Sequence, residues 1–213
     1  MAQGGAQLQD ILREIEEEKL LLQPQPESRA DFLQYSQQIT LDPNSVSREL
    51  KLSDGDRKVT FTEEVQPYSD HPDRFTGWRQ ALSRESLTGR SYWEVERRGG
   101  VTVGVTYKNI SRAGGGGGGG GREECIFGLN DKSWALHCDS NRFSFYHNIH
   151  TPVSGPESSR VGVYLDHRAG ILSFYSVSET MTLLHRVQTS FTQPLHAGVC
   201  VCPDSSAEFV KPE

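Results

Sequence analysis

Residues 160–177, RVGVYLDHRAGILSFYSV, restrict the possible folds more than any other stretch of this chain. Two runs of strand-forming residues, 161–165 and 171–177, flank the polar, glycine-ended turn Asp166-His167-Arg168-Ala169-Gly170, which spells a β-hairpin. Val161, Val163 and Leu165 fall on one face of the first arm. In the second arm Leu172, Phe174 and Ser176 alternate with Ile171, Tyr175 and Val177, the period-two pattern of a sheet. Both faces are largely apolar, so the sheet must be covered on both sides, and a layer of a sandwich meets that requirement.

The rest of the chain agrees with a mostly β protein carrying a helical preface. Leu8, Ile11, Ile15 and Leu22 stand at three-and-four spacing with Leu12 beside them, which predicts an amphipathic helix over 7–22. Such a helix is too short to persist alone in water, so it either packs on the domain or ends a longer coiled coil that would allow dimerisation. Pro24 and Pro26 stop it and make 23–27 an extended linker. Ser28 followed by Asp31 forms a capping box for a short helix through Tyr35. Strands are expected at 39–41, 50–53 and 58–62, the last two joined through Asp54-Gly55-Asp56. A polar surface loop follows at 66–78, then strands at 91–96, 101–106, 126–129, 133–138 and 141–146. A second exposed loop spans 147–159, and the closing strands are 181–187 and 197–201. The glycine run 114–121 has nothing to bury and maximal backbone entropy to lose, which predicts a disordered loop rather than a phosphate cradle. The fold class is all-β, two packed antiparallel sheets with short N-terminal helices.

Composition narrows the function classes. Lys and Arg total 22 against 28 Asp and Glu, for a net charge of −6, and no dense basic run occurs, which argues against a nucleic-acid surface. No apolar run approaches the roughly 20 residues that span a bilayer, and residues 1–6 lack a signal-peptide pattern, so the expectation is a cytoplasmic protein that makes no membrane contact. Cys125, Cys138, Cys200 and Cys202 are too few and too irregular for a disulfide framework and read as buried or half-buried thiols.

No catalytic, metal or cofactor set emerges. Asp166, His167 and Ser173 are the nearest approach to a hydrolase triad, but an adjacent Asp and His point apart and no nucleophile elbow accompanies them. Cys200 and Cys202, with His147 and His150, offer soft ligands without a paired Cys-x-x-Cys arrangement. Trp93 and Trp134 read as core anchors and Trp78 as an edge or contact aromatic. Glu94 and Glu96 read as outward-facing strand residues.

Several blocks in order carry a resemblance. Leu41-Asp42-Pro43, Trp93-Glu94-Val95-Glu96, and Leu165-Asp166-His167 with Gly170 and Ser173-Phe174-Tyr175 resemble the three signature blocks of PRY-SPRY domains. Residues 70–75 (DHPDRF), 87–90 (LTGR) and 127–134 (FGLNDKSW) add to it. The phrasing is similar to that of fish tripartite-motif proteins. The resemblance implies a PRY part at about 28–85 and a SPRY part at about 86–213, interrupted by the glycine loop at 113–122 and preceded by a coiled-coil remnant and linker at 1–27. It also implies a bent sandwich that binds protein partners through edge loops, in ubiquitin-ligase or innate-immune signalling. RING and B-box zinc motifs are not found in these residues, so ligase activity is not assigned to them. By position the resemblance implies partner contacts from His137, Asp139 and Arg142, with Asp70, Lys108, Arg112, His150 and Asp204 as neighbours. A lectin-like sandwich binding a glycan or small ligand is the alternative.

Overall fold

The computed structural model describes residues 3–21, 23–114, 121–140 and 142–212. The expectation for the glycine run therefore falls, at 115–120, outside the described residues, as does that for Leu22.

Two antiparallel sheets form the body. The first has seven strands in the order β1 (Leu50–Ser53), β2 (Lys58–Phe61), β13 (Ser206–Val210), β4 (Arg90–Arg98), β9 (Arg160–Asp166), β10 (Ile171–Val177) and β11 (Met181–Gln188). The second has six, in the order β3 (Gln80–Leu82), β12 (Leu195–Val201), β5 (Val101–Tyr107), β6 (Ser133–Asp139), β7 (Arg142–His147) and β8 (Ile149–Val153). The expected hairpin is β9–β10, with Leu165 opposite Leu172 and Val163 opposite Phe174. Gly170 closes it at φ +70°, where an added Cβ would run into the Thr189 carbonyl, so the turn requires glycine.

Period-two alternation decides which side chains enter the core. Val101, Val103 and Val105 of β5, Trp134 and Leu136 of β6, Phe143 and Phe145 of β7, and Trp93 and Val95 of β4 meet Val163, Leu165, Leu172 and Phe174 between the sheets. Trp134 sits in a ring nest, edge-on to Tyr107 and Phe191 and stacked 4.6 Å from His147. No disulfide joins the four cysteines; Cys125, Cys138 and Cys200 are buried and Cys202 half-buried.

Several local expectations differ from the structure. Residues 39–41 form no strand: Ile39 and Leu41 are buried, and Leu41 makes only a single bridge to Ser83. Residues 126–129 are a turn after the 3₁₀ turn Arg122–Glu124, while β3, β8 and β13 arise where no strand was expected. Glu94 does not face solvent; it is completely buried. The N-terminal helix α1 (Gln3–Leu21) forms, but its stripe stays uncovered, with Leu8, Ile11, Leu12 and Ile15 each 43–60% exposed. The capping box on Ser28 and Asp31 is present and starts α2 (Arg29–Leu33).

Candidate binding face

A sandwich can meet another molecule at its sheet edges, its outer faces or its loops. The edges are closed to strand addition. Tyr68 covers β1, its hydroxyl donating to the Leu50 carbonyl at 2.9 Å and accepting from the Leu52 amide at 3.0 Å. Residues 41–47 cover β3 through Asp42 N to Leu82 O and Ser47 N to Gln80 O. Pro152 removes a donor from β8, and β11 is bulged where it pairs with Phe174 and Tyr175.

The aromatic centre of the seven-stranded sheet's outer face is covered by the chain itself, with open polar hollows at its margins, one lined by Gln23, Pro24, Asp31 and Tyr35 and another by Arg29, Glu96, Ser159 and Arg160. Phe32 of α2 inserts among Tyr92, Tyr164 and Tyr175, with ring centroids 4.9–5.4 Å away. Beside it Glu94 accepts from Arg29 at 2.9 Å, from Arg160 at 3.3 Å and from the Tyr92 hydroxyl at 2.7 Å, which is why a buried carboxylate is tolerated there. The linker docks as well. Arg90 donates to the carbonyls of Gln23 and Pro24 and to Asp166, while Gln25 bridges Asp166 and Tyr164. The three residues nearest to a triad in the sequence each have separate partners: Asp166 serves Arg90, His167 meets the Gln193 carbonyl, and Ser173 accepts from Arg186.

The outer face of the six-stranded sheet is only partly covered. Phe75, Ile110 and Phe127 pack over Leu82, Cys200 and Ala135. The covering loop is pinned from below by buried Gln80, whose amide donates to Cys125 O at 2.6 Å and accepts from Phe127 N at 2.9 Å. Gly128, at φ +85°, lies so close to Tyr146 that any side chain would collide. Ser133 Oγ accepts from Gly128 N at 2.7 Å, and Asn130 donates to Ile126 O at 2.8 Å. These bonds make 125–130 a fixed wall.

Beyond that wall the face is open. Register brings Cys200, Thr102, His137 and Ser144 into one row across β12, β5, β6 and β7, and sets Asp139 opposite Arg142. A cavity of about 240 Å³ lies where this row meets the wall, lined by Trp78, Thr102, Ile126, Phe127, Leu129, His137, Tyr146, Cys200 and Cys202. His137 Nδ1 shares a hydrogen with Thr102 Oγ1 at 2.9 Å. Burial holds the imidazole below its usual value, so it is neutral at neutral pH. Burial also pushes the Cys200 thiol up to about 12, which makes it inert rather than nucleophilic.

The residues implied by the resemblance divide into two groups. His137 lines the cavity, and Asp139 and Arg142 stand exposed beside it. His150 stacks on Tyr146 at 5.0 Å and bonds Ser144 at 3.1 Å, and Asp204 occupies the turn after Cys202 at φ +59°. The others belong to the covering loops. Arg112 lies over Phe75 at 4.7 Å and donates to the Lys108 carbonyl at 2.6 Å, and Asp70 pairs with Arg48 at 2.6 Å. None of these contacts joins Asp70, Lys108 or Arg112 to the cavity. Thr102, Tyr146 and Leu129 were not picked out as contact residues in the sequence, and Cys202 was read only as a thiol; the alternation of Thr102 with Val101 and Val103 places it on the outer face, but only the register shows what stands next to it. Among the described residues no group of three His, Cys, Asp or Glu is placed to hold a metal.

Two antiparallel sheets, one outer face sealed by the N-terminal segment and the other framed by fixed loops, define the β-sandwich domains that present one face and its bordering loops. The chain belongs to the SPRY family: the SPRY domain model matches residues 90–213, and the SPRY-associated PRY model matches residues 39–87. Tripartite motif-containing protein 16 of Mus musculus is 42% identical over 82% of the chain, which covers 31% of that protein. The alpha subunit of stonustoxin from Synanceia horrida is 33% identical over 82% of the chain, which covers 25% of that protein. Among solved structures, that of stonustoxin superposes with a TM-score of 0.78 at 30% identity, over 86% of this chain and 30% of the other. The PSpry domain of TRIM65 gives 0.77 at 25% identity, over 89% of this chain and all of the other. The chain thus spans less than a third of the length of these curated relatives.

Proposed function

We propose that this chain is a protein-recognition module whose contact surface is the open part of the six-stranded sheet's outer face, working as the recognition end of a larger tripartite-motif type protein in ubiquitin-ligase or innate-immune signalling. One observation carries the reading: an apolar-lined hollow sits where four strands and a pinned loop meet, while β1 and β3 are covered by the chain, β8 and β11 are blunted by Pro152 and a bulge, and the aromatic centre of the opposite face is plugged by Phe32. Loops and a sheet face held by a rigid frame suit recognition, because little order has to be gained on binding.

The test is quantitative affinity capture with the full chain and with the double variant Asp139→Lys, Arg142→Glu. Both sites are exposed, so the variant should unfold at the same temperature as the wild type while losing its captured proteins. An unchanged set of captured proteins sinks the reading. Glycan-array binding alongside that unchanged set would replace it with the lectin-like alternative.

A further inference from the structure

The nature of the bound side chain follows from the cavity wall. At about 240 Å³ it lies below the roughly 300–1,000 Å³ of pockets that take small organic ligands, and matches one large side chain. Carbon dominates the wall, through Trp78, Ile126, Phe127, Leu129 and Tyr146, and no carboxylate, ammonium or guanidinium lines it. Charges stand at the rim. Asp139 and Arg142 form no ion pair among the described residues, and Arg79 lies over the Trp78 ring at 4.9 Å. A charged occupant would lose its hydration against this wall, with counter-charges standing at the exposed rim rather than inside it. A sugar ring would bring several hydroxyls to a wall with few free polar groups, because the Thr102 hydroxyl is already engaged with His137 Nδ1.

Resting on the reading of this face as a protein-binding surface, we propose that the cavity takes one large uncharged side chain of the partner, of leucine, phenylalanine or tryptophan size. In that arrangement the Nε2 of neutral His137 hydrogen-bonds the partner beside it, and the site releases the side chain when His137 gains a proton. Among the described residues Nε2 has no partner of its own, whereas Nδ1 is held by Thr102. The groups around the ring decide its response. Asp139, on the same strand, favours the proton, while burial and Arg97 of β4 oppose it. Thr102 on β5 and Ser144 on β7 are uncharged, Arg142 and Tyr146 flank Ser144, exposed His150 of β8 bonds Ser144, and Cys200 of β12 and Cys202 just beyond it approach as neutral thiols with Arg79 near them. A proton on His137 therefore puts a cation into an apolar wall.

Random linear peptides displayed on phage and selected on the full chain at about pH 7.5 test this, with affinities of the recovered peptides then measured at about pH 7.5 and about pH 5.5. The recovered peptides should share one large apolar residue whose replacement by alanine weakens binding at least about tenfold. In a series continued below about pH 5.5, binding to the wild type should weaken by up to about tenfold per pH unit once the pH passes the lowered His137 value, a slope that His137→Gln should lack. Leu129→Arg, which puts a guanidinium into the cavity from its half-exposed rim, should abolish binding with an unchanged unfolding temperature. Peptides that depend on Asp139 and Arg142 but need no apolar residue, or need a charged one, overturn the proposal and leave the face reading standing. Peptides indifferent to every substitution on this face overturn both, and an empty selection overturns the proposal.

Discussion

On the outer face of the seven-stranded sheet three tyrosines close around Phe32 and a buried glutamate is matched by two arginines; on the outer face of the six-stranded sheet the cover stops at Phe127 and leaves Thr102, His137 and Tyr146 in contact with solvent. Both faces are built from strands of similar length and similar alternation. The difference lies in what the chain lays over them. α2 and the Gln23–Pro26 segment bring an aromatic plug, a guanidinium and a run of carbonyls matched to Arg90, so the aromatic centre of the first face is closed. The 125–130 loop brings Phe127 and then turns back through Gly128, and the sheet beyond it is left for another molecule.

Removing the plug should have the largest effect. Phe32→Ala empties a site 2% exposed in the wild type and should lower unfolding free energy by about 3–5 kcal/mol in a denaturant titration, with new hydrogen-exchange in β4 and β9. Tyr146→Ala, on the open face and half-buried, should cost about 1 kcal/mol. Equal losses for the two variants would mean that the faces are not sealed and open in the sense argued above.

The same contrast explains what could be read from the sequence. Alternation located β4, β5, β6, β9 and β10 because each has one face in the common core. It missed β3, whose three residues Gln80, Ala81 and Leu82 are all buried and show no alternation, and β8, which is exposed and carries Pro152. It misread 126–129 because Ile126, Phe127 and Leu129 are apolar for covering a face rather than for pairing with a neighbour. Glu94 was misjudged for a related reason: periodicity tells which face of a strand a residue lies on, but not that Arg29, sixty-five positions away, returns to dry that face. Around the proposed site, His137, Asp139 and Arg142 were named by resemblance. Thr102 and Tyr146 were not, since adjacency across strands depends on register and no local pattern records it.

Acid should affect the two faces at different pH. His137 and His196 lie on the outer face of the six-stranded sheet and His185 stacks on Phe145 in the core; burial holds all three below the ordinary value of 6.5. Each is bound neutral in the fold and protonates more readily when unfolded. Their contribution is thus complete above about pH 6.5 and is lost as pH falls through their lower folded values. On the sealed face, burial tends to raise the Glu96 carboxyl, but hydrogen bonds from Ser159 and Arg160 outweigh it and hold the group below 4.5. Its contribution persists until the pH drops below that value. Urea midpoints measured across this range should therefore fall in two stages, and His185→Phe should reduce the first stage alone. A single transition near the carboxylate range would remove the distinction.

The smallest effect on folding belongs to Arg142. Its side chain is exposed and makes no hydrogen bond or ion pair among the described residues, and the Asp139 opposite it is also free of ion pairs. Nothing buried depends on it, so Arg142→Ala should change unfolding free energy by no more than about 0.5 kcal/mol. On the sealed face an arginine is in a different position: Arg90 has a buried side chain bonded to Asp166, Tyr35 and the carbonyls of Gln23 and Pro24, and Arg90→Ala would strand all of them. Comparing the two alanine variants by denaturant titration isolates the contribution of the cover, since residue type and strand setting are alike. If Arg142→Ala costs more than about 1 kcal/mol, the open face is contributing to the fold as well as awaiting a partner, and the division between a face that completes the domain and a face that is free to bind no longer holds.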